Sequence, residues 1–245
     1  MKHYLIILLS AAAQLVMGQT PDAKEILRKI DQNMSSDNRV FTSKMIIHGK
    51  RTSRTVQSKT WTSGEKKSFT EYLFPAREQG TKMLKLDNQL WIFSPSSDRI
   101  IQIAGHMLRQ SVMGSDLSYE DLMEDNKLTT HYTAEMTGSE KVGDRPCWIL
   151  KLTAFDPEVA YQGMKLWVDQ QRHIPLKEEL YAKSGTLLKR TELSEVTNIN
   201  GRWFPMKIVF KDMLKDGEGT EFIMEDISFN VAIPDHIFSK ASLKK

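Results

Sequence analysis

Five histidines lie beyond residue 18: His48, His106, His131, His173 and His236. No two stand at metal-ligand spacing, so each reads as a surface or turn residue. Ser63-Gly64-Glu65-Lys66 matches the Ser-x-x-Lys pattern of an activated serine, but it falls in a turn signal rather than at a helix start. The densest acidic group is Asp116, Glu120, Asp121, Glu124 and Asp125. Paired carboxylates can hold calcium or act as acid and base. Here the helical spacing and the missing calcium-loop glycine favour acids at a helix N-terminus and on a solvated face. The single cysteine, Cys147, sits in a strand-like run and reads as a small buried hydrophobe. No His-Glu-x-x-His, Gly-x-Ser-x-Gly, P-loop or dinucleotide fingerprint occurs. No catalytic residue, metal site or cofactor is therefore expected.

The elements that would position any site are mostly strands. Asp22 caps a first helix, with Glu25 as its reciprocal partner. Ala23, Ile26, Leu27, Ile30 and Met34 form its apolar face, and Lys24, Arg28, Lys29 and Asp31 its polar one. From Phe41 the period changes to two. Strands are expected at Met45–His48, Thr55–Thr62, Ser68–Phe74, Met83–Leu86, Leu90–Phe93 and Ile100–Ile103. After residue 127 more follow at Glu135–Gly138, Cys147–Ala154, Gly163–Asp169, Leu176–Ala182, Leu187–Val196, Trp203–Phe210 and Thr220–Phe229. The short links between them require antiparallel pairing. Residues 105–127 break the pattern. Ser118 to Asp121 forms a capping box there, so one or two short helices are expected. A sheet of about ten strands or more must curl, split or close.

Composition is that of a globular chain, length allows one large or two small domains, and with no fixed-period repeat or low-complexity linker one domain is the best count. The chain has 245 residues, 40% hydrophobic and 27% charged, with a net charge of +3 and no basic stripe of the kind nucleic-acid binders carry. Residues 1–18 have the layout of a cleaved secretory signal: Lys2 and His3, an apolar run from Leu5 to Val16, then small residues before Gln19. The run is too short to span a bilayer. The expected mature chain is residues 19–245. With one cysteine it can form no internal disulfide, so its core must supply stability unaided.

Several strands are apolar on both faces. Leu90-Trp91-Ile92-Phe93 has no polar face at all, and Met83-Leu84 and Trp203-Phe204 add to the excess. Such a strand fits a curved sheet with one face in the core and the other on a cavity. It fits equally the two-sided core of a sandwich. By alternation Trp91 and Phe93 share a face, as do Leu84 and Leu86. The cavity reading makes these four its lining, and a one-residue register slip would turn them all outward.

Longer motifs carry a family resemblance. They are Phe74-Pro75-Ala76-Arg77-Glu78-Gln79-Gly80-Thr81, Leu90-Trp91-Ile92-Phe93-Ser94-Pro95 and Met113-Gly114-Ser115-Asp116-Leu117-Ser118-Tyr119-Glu120-Asp121-Leu122. Leu166-Trp167-Val168-Asp169, Pro175-Leu176-Lys177 and Gly201-Arg202-Trp203-Phe204-Pro205 follow. Together they resemble the LolA-like outer-membrane lipoprotein-sorting family of Gram-negative bacteria, over nearly the whole mature chain. The resemblance implies a mainly β, α+β fold: an unclosed, strongly curved antiparallel half-barrel with an N-terminal helix and short lid helices. It implies a periplasmic location and a cavity for acyl chains of lipoproteins or other lipids. It also implies an inner-membrane exporter and an outer-membrane acceptor as partners. The lid is expected to be built on Met113, Leu117, Tyr119 and Leu122. A lipid- or partner-sensing module of the same shape is the alternative, with a hydrolase third.

Overall fold

Among the described residues, period-two alternation continues through thirteen strands that form one antiparallel sheet. The architecture is that of a computed structural model, which describes residues 21–124 and 127–244. The secretory signal expected at 1–18, and Asp125 of the acidic group, lie outside the described residues. The strands are β1 (Asn38–His48), β2 (Ser53–Ser63), β3 (Lys67–Phe74), β4 (Lys82–Leu86), β5 (Gln89–Ser94), β6 (Arg99–Ile103), β7 (Tyr132–Val142), β8 (Arg145–Ala154), β9 (Gly163–Asp169), β10 (Pro175–Tyr181), β11 (Leu187–Ile199), β12 (Arg202–Asp212) and β13 (Thr220–Phe229). Their order is β6-β5-β4-β3-β2-β1-β13-β12-β11-β10-β9-β8-β7. Two meanders thus meet where β1 pairs with β13, and the sheet stays open because β6 and β7 are its two edges.

That order dictates the middle of the chain. β6 and β7 are consecutive in sequence but lie at opposite edges, so the link between them must cross the open side of the sheet. Short 3-10 turns at Gly105–Arg109, Val112–Gly114 and Leu128–Thr130, and the helix α2 (Tyr119–Met123), occupy this crossing. Ser118 caps α2 in the expected box: its Oγ accepts from the Asp121 amide, and the Asp121 carboxylate accepts from the Ser118 amide.

The helix α1 (Ala23–Met34) begins at Asp22, whose carboxylate accepts from the Lys24 amide. Glu25 does not reciprocate as expected but pairs with Arg28 at 2.6 Å. Asp31 leaves the polar face assigned to it. It is buried and accepts from the amides of Leu128 and Thr129, which ties α1 to the end of the crossing segment. Ile26, Leu27 and Ile30 pack on Leu150, Leu152, Leu166, Val168 and Leu180, filling the inner face of the β7–β10 half.

The β3–β5 corner has two buried faces. On one, Met83, Leu90, Ile92 and Ile103 meet Met107, Leu108, Tyr119, Leu122 and Met123 of the crossing segment. On the other, Phe69, Leu84 and Trp91 lie under Phe238 and Leu243 of the C-terminal 3-10 turns, Asp235–Phe238 and Lys240–Lys244. Between β12 and β13, Gly219 has φ +97, and a Cβ there would come within 2.5 Å of the Phe210 carbonyl oxygen. No other residue fits that turn without moving the backbone.

Candidate functional site: a two-lobed cavity beneath the crossing segment

Every second residue of the central strands faces the crossing segment, and between them lies a cavity with two lobes. The larger, about 320 Å³, is walled by Leu193 of β11, by Phe204, Ile208 and Phe210 of β12, and by Phe222 and Met224 of β13. Ile30 and Met34 of α1 close one side, and Leu117 and Leu122 form its roof. Its size and apolar wall are those of a small-ligand site. The second lobe, about 230 Å³, runs under β1–β4. Its wall is different in kind, for Ser58, Thr60, Thr62, Ser68 and Thr70 are among the residues that line it. Arg39, Phe41, Leu117 and Leu122 border both lobes, so the two adjoin.

The charges around this space are mostly employed in holding the roof. Lys189 of β11 pairs with Asp121 of α2, and the Tyr161 hydroxyl donates to the other Asp121 oxygen. Glu124 accepts from the Ala160 amide, and burial pushes its carboxyl up from the usual carboxylate range. Asp116 accepts from the Thr220 hydroxyl at 2.8 Å and from the Asp212 amide at 3.0 Å, which pins the crossing segment to the β12–β13 end. Arg54 of β2 donates to the Met113 carbonyl, and Lys85 of β4 donates to the Met123 carbonyl at 3.0 Å. These acids therefore fasten the roof, which differs from the solvated helix face expected of them. In the apolar lobe the Glu178 carboxyl is pushed up to about 7 by burial, against a partly offsetting hydrogen bond with Thr191.

The structure brings together Leu84, Leu86, Trp91 and Phe93, but not around this cavity. All four are on the opposite face, against Phe238, Leu243, Ile233 and Ile237. Their neighbours in sequence, Met83 and Lys85, are the cavity residues of β4. This is the register outcome that the alternation left open. The C-terminal turns cover a face that would otherwise meet water. Of the four roof residues, Leu117 and Leu122 line the cavity. Met113 packs beside Met45, Val56, Tyr72 and Leu117, and Tyr119 packs on Met83, Leu90 and Ile103. Sequence reasoning missed Phe204, Ile208, Phe210, Phe222 and Met224 as a lining. Their i, i+2 spacing on β12 and β13 was the available signal.

Among the described residues no Ser-x-x-Lys, His or Cys group is placed as an activated nucleophile. Ser63 ends β2 and Lys66 lies in the following turn. His48 is held by Ser53 and Glu221, and His131 by Asp156. Cys147 is fully buried and its thiol is pushed up to about 11 by burial, which keeps it unreactive. Among the described residues no group of three His, Cys, Asp or Glu side chains could hold a metal ion. No described helix is long and apolar enough to cross a membrane.

A family model described as "-like: Uncharacterized protein" matches residues 64–245, and the chain belongs to that family. A search of curated proteins finds no match. Among solved structures, the chain is similar to a DUF1329 family protein from Desulfovibrio piger, at 23% identity and TM-score 0.82, over 90% of this chain and 97% of that one. It is similar to a domain from Vibrio parahaemolyticus named for outer membrane lipoprotein sorting, at 22% identity and TM-score 0.78, over 91% and 98%. It is also similar to a LolA superfamily protein from Nitrosomonas europaea, at 28% identity and TM-score 0.75, over 91% and 100%. The fold is LolA-like.

Proposed function

We propose that this chain is an exported periplasmic carrier. It binds acyl chains of lipoproteins or other lipids in the cavity beneath the crossing segment and carries them toward the outer membrane. The observation that carries this reading is the apolar lobe walled by Phe204, Ile208, Phe210, Phe222 and Met224. Burying an acyl chain there contributes roughly 0.8 kcal/mol per CH₂, so retention needs no covalent step. The LolA-like fold supports the same reading, because a chain similar in fold from Vibrio parahaemolyticus is named for lipoprotein sorting. In this role Leu117 and Leu122 act as the lid, an inner-membrane exporter loads the cavity and an outer-membrane acceptor empties it. The chain performs no catalysis. The test is extraction of the protein purified from the periplasm, followed by mass spectrometry of the organic phase. Stoichiometric acyl lipid supports carriage. A stable protein partner with no lipid would instead favour a sensing module of the same shape.

A further inference from the structure

The acyl-carrier reading leaves the second lobe unexplained, since an aliphatic wall would serve an acyl chain better than hydroxyls. Thr60 and Thr70 pair through their hydroxyl oxygens at 3.0 Å, and Ser58 pairs with Ser43 at 3.0 Å. The Thr60–Thr70 pair uses one O–H internally and leaves a second that can serve a guest, and Ser58 offers its own where Ser43 is the donor of their bond. Where the lobes meet stands Arg39 of β1. One backbone oxygen, that of Met34, accepts from its guanidinium at 3.4 Å, and the Phe41 ring lies 5.8 Å from it. A guanidinium carries five N–H donors in a planar fork matched to carboxylate or phosphate. Burial lowers its pKa, with Glu65 acting in the opposite direction, so the charge is short of solvation where it stands. The other cations on the space are differently engaged. Lys189 is paired with Asp121, Lys85 donates to Met123, and Lys67 is exposed.

The geometry points to an amphiphile with one anionic head, a carboxylate or a phosphate monoester, whose head sits on Arg39 beside the Ser58–Thr60–Thr70 wall and whose acyl chain fills the Phe204–Phe222 lobe. This rests on the acyl-carrier reading and narrows its ligand. A charge-assisted, two-pronged contact in a part-dry site favours the anion over an equally long neutral chain. Three acids line the same lobe: Lys189 neutralises Asp121, burial raises the Glu124 carboxyl toward its neutral form, and Glu65, whose charge already acts on Arg39, is the competitor that the head must outbind.

The experiment is displacement of a fluorescent acyl probe from the exported protein by hexadecanoate, hexadecyl phosphate and hexadecan-1-ol, each below its aggregation limit. At least one anion is expected to bind about tenfold more tightly than the alcohol. The better of the two tells a fatty-acid head from a phosphate head. Arg39→Met should erase that preference, read as the ratio of anion to alcohol affinity within each variant, while Arg39→Lys retains part of it. Equal binding of anions and alcohol by the wild-type protein would overturn the anion site and leave the acyl cavity standing, and so would a preference that survives Arg39→Met. Binding of none of the three would overturn both. The wild-type comparison decides even if Arg39→Met fails to fold.

Discussion

Lys189 of β11 and Asp121 of α2 meet as an ion pair across the cavity, with side-chain exposures of only 7% and 11%. Asp121 carries three duties at once: it closes the capping box with Ser118, accepts from Tyr161 and neutralises Lys189. Cutting one partner from such a pair strands a charge in a part-dry site. Lys189→Met is therefore expected to cost about 3 kcal/mol, measured by denaturant unfolding. The double variant Lys189→Met with Asp121→Asn, which removes the stranded charge and keeps an acceptor oxygen, should recover part of that loss. An additive double variant would show that the two groups do not act as a pair.

The roof also depends on its own cap. Ser118→Ala removes the hydroxyl that receives the Asp121 amide at 3.2 Å. The expected cost is about 1 kcal/mol. Hydrogen exchange should show faster opening of 105–123 with β8 and β9 unchanged.

The C-terminal turns make a third prediction. Leu84 and Leu243 are both fully buried in the cluster with Phe69, Trp91 and Phe238. Leu84→Glu places a charge in close packing, so it should unfold the β3–β5 corner rather than merely empty a cavity. Leu243→Ala should cost about 2–4 kcal/mol in thermal or denaturant melts, with acyl-probe affinity retained below the transition. Loss of probe binding in a fully folded Leu243→Ala protein would contradict this division of the two faces.

Glu178 gives the cavity a pH dependence. Its folded pKa of about 7 lies above the ordinary 4.5, so the folded protein holds a proton that the unfolded chain releases. Stability from this group is then greatest below pH 4.5, falls as pH rises between those values, and is lowest above 7. Glu178→Gln should raise the melting temperature by about 2 °C or more at pH 8, and the gain should close by pH 4.5. Acyl-probe affinity of the wild-type protein should weaken above pH 7, where an ionised carboxylate enters the apolar lobe, and the variant should lack that drop.

The strands were legible because alternation and turn signals are local. The hairpin at Asp87-Asn88 joins β4 to β5 as expected, and the capping box at Ser118 starts α2. The pairing of β1 with β13 is long-range and left no mark in either strand. The choice of face on β4 and β5 failed for a definite reason. In Met83-Leu84-Lys85-Leu86, Lys85 reads as the solvent side, yet it is buried and donates to Met123 beneath the roof. Only the C-terminal turns, which fold back more than 130 residues later in sequence, make the Leu84 face a core. The acids of 116–124 misled similarly, since their spacing suits a solvated helix while their partners lie on β11, β12 and β13.

The claim that the apolar lobe holds an acyl chain is tested most directly by titrating a fluorescent acyl probe into wild-type protein and the Ile208→Glu variant. Ile208 lines the lobe opposite Phe222, part-exposed to it rather than locked in the core. The account predicts saturable, one-to-one binding by the wild-type protein, and its loss in Ile208→Glu with an unchanged unfolding transition. Probe binding of equal affinity in a folded Ile208→Glu protein, or none in the wild type, would contradict it.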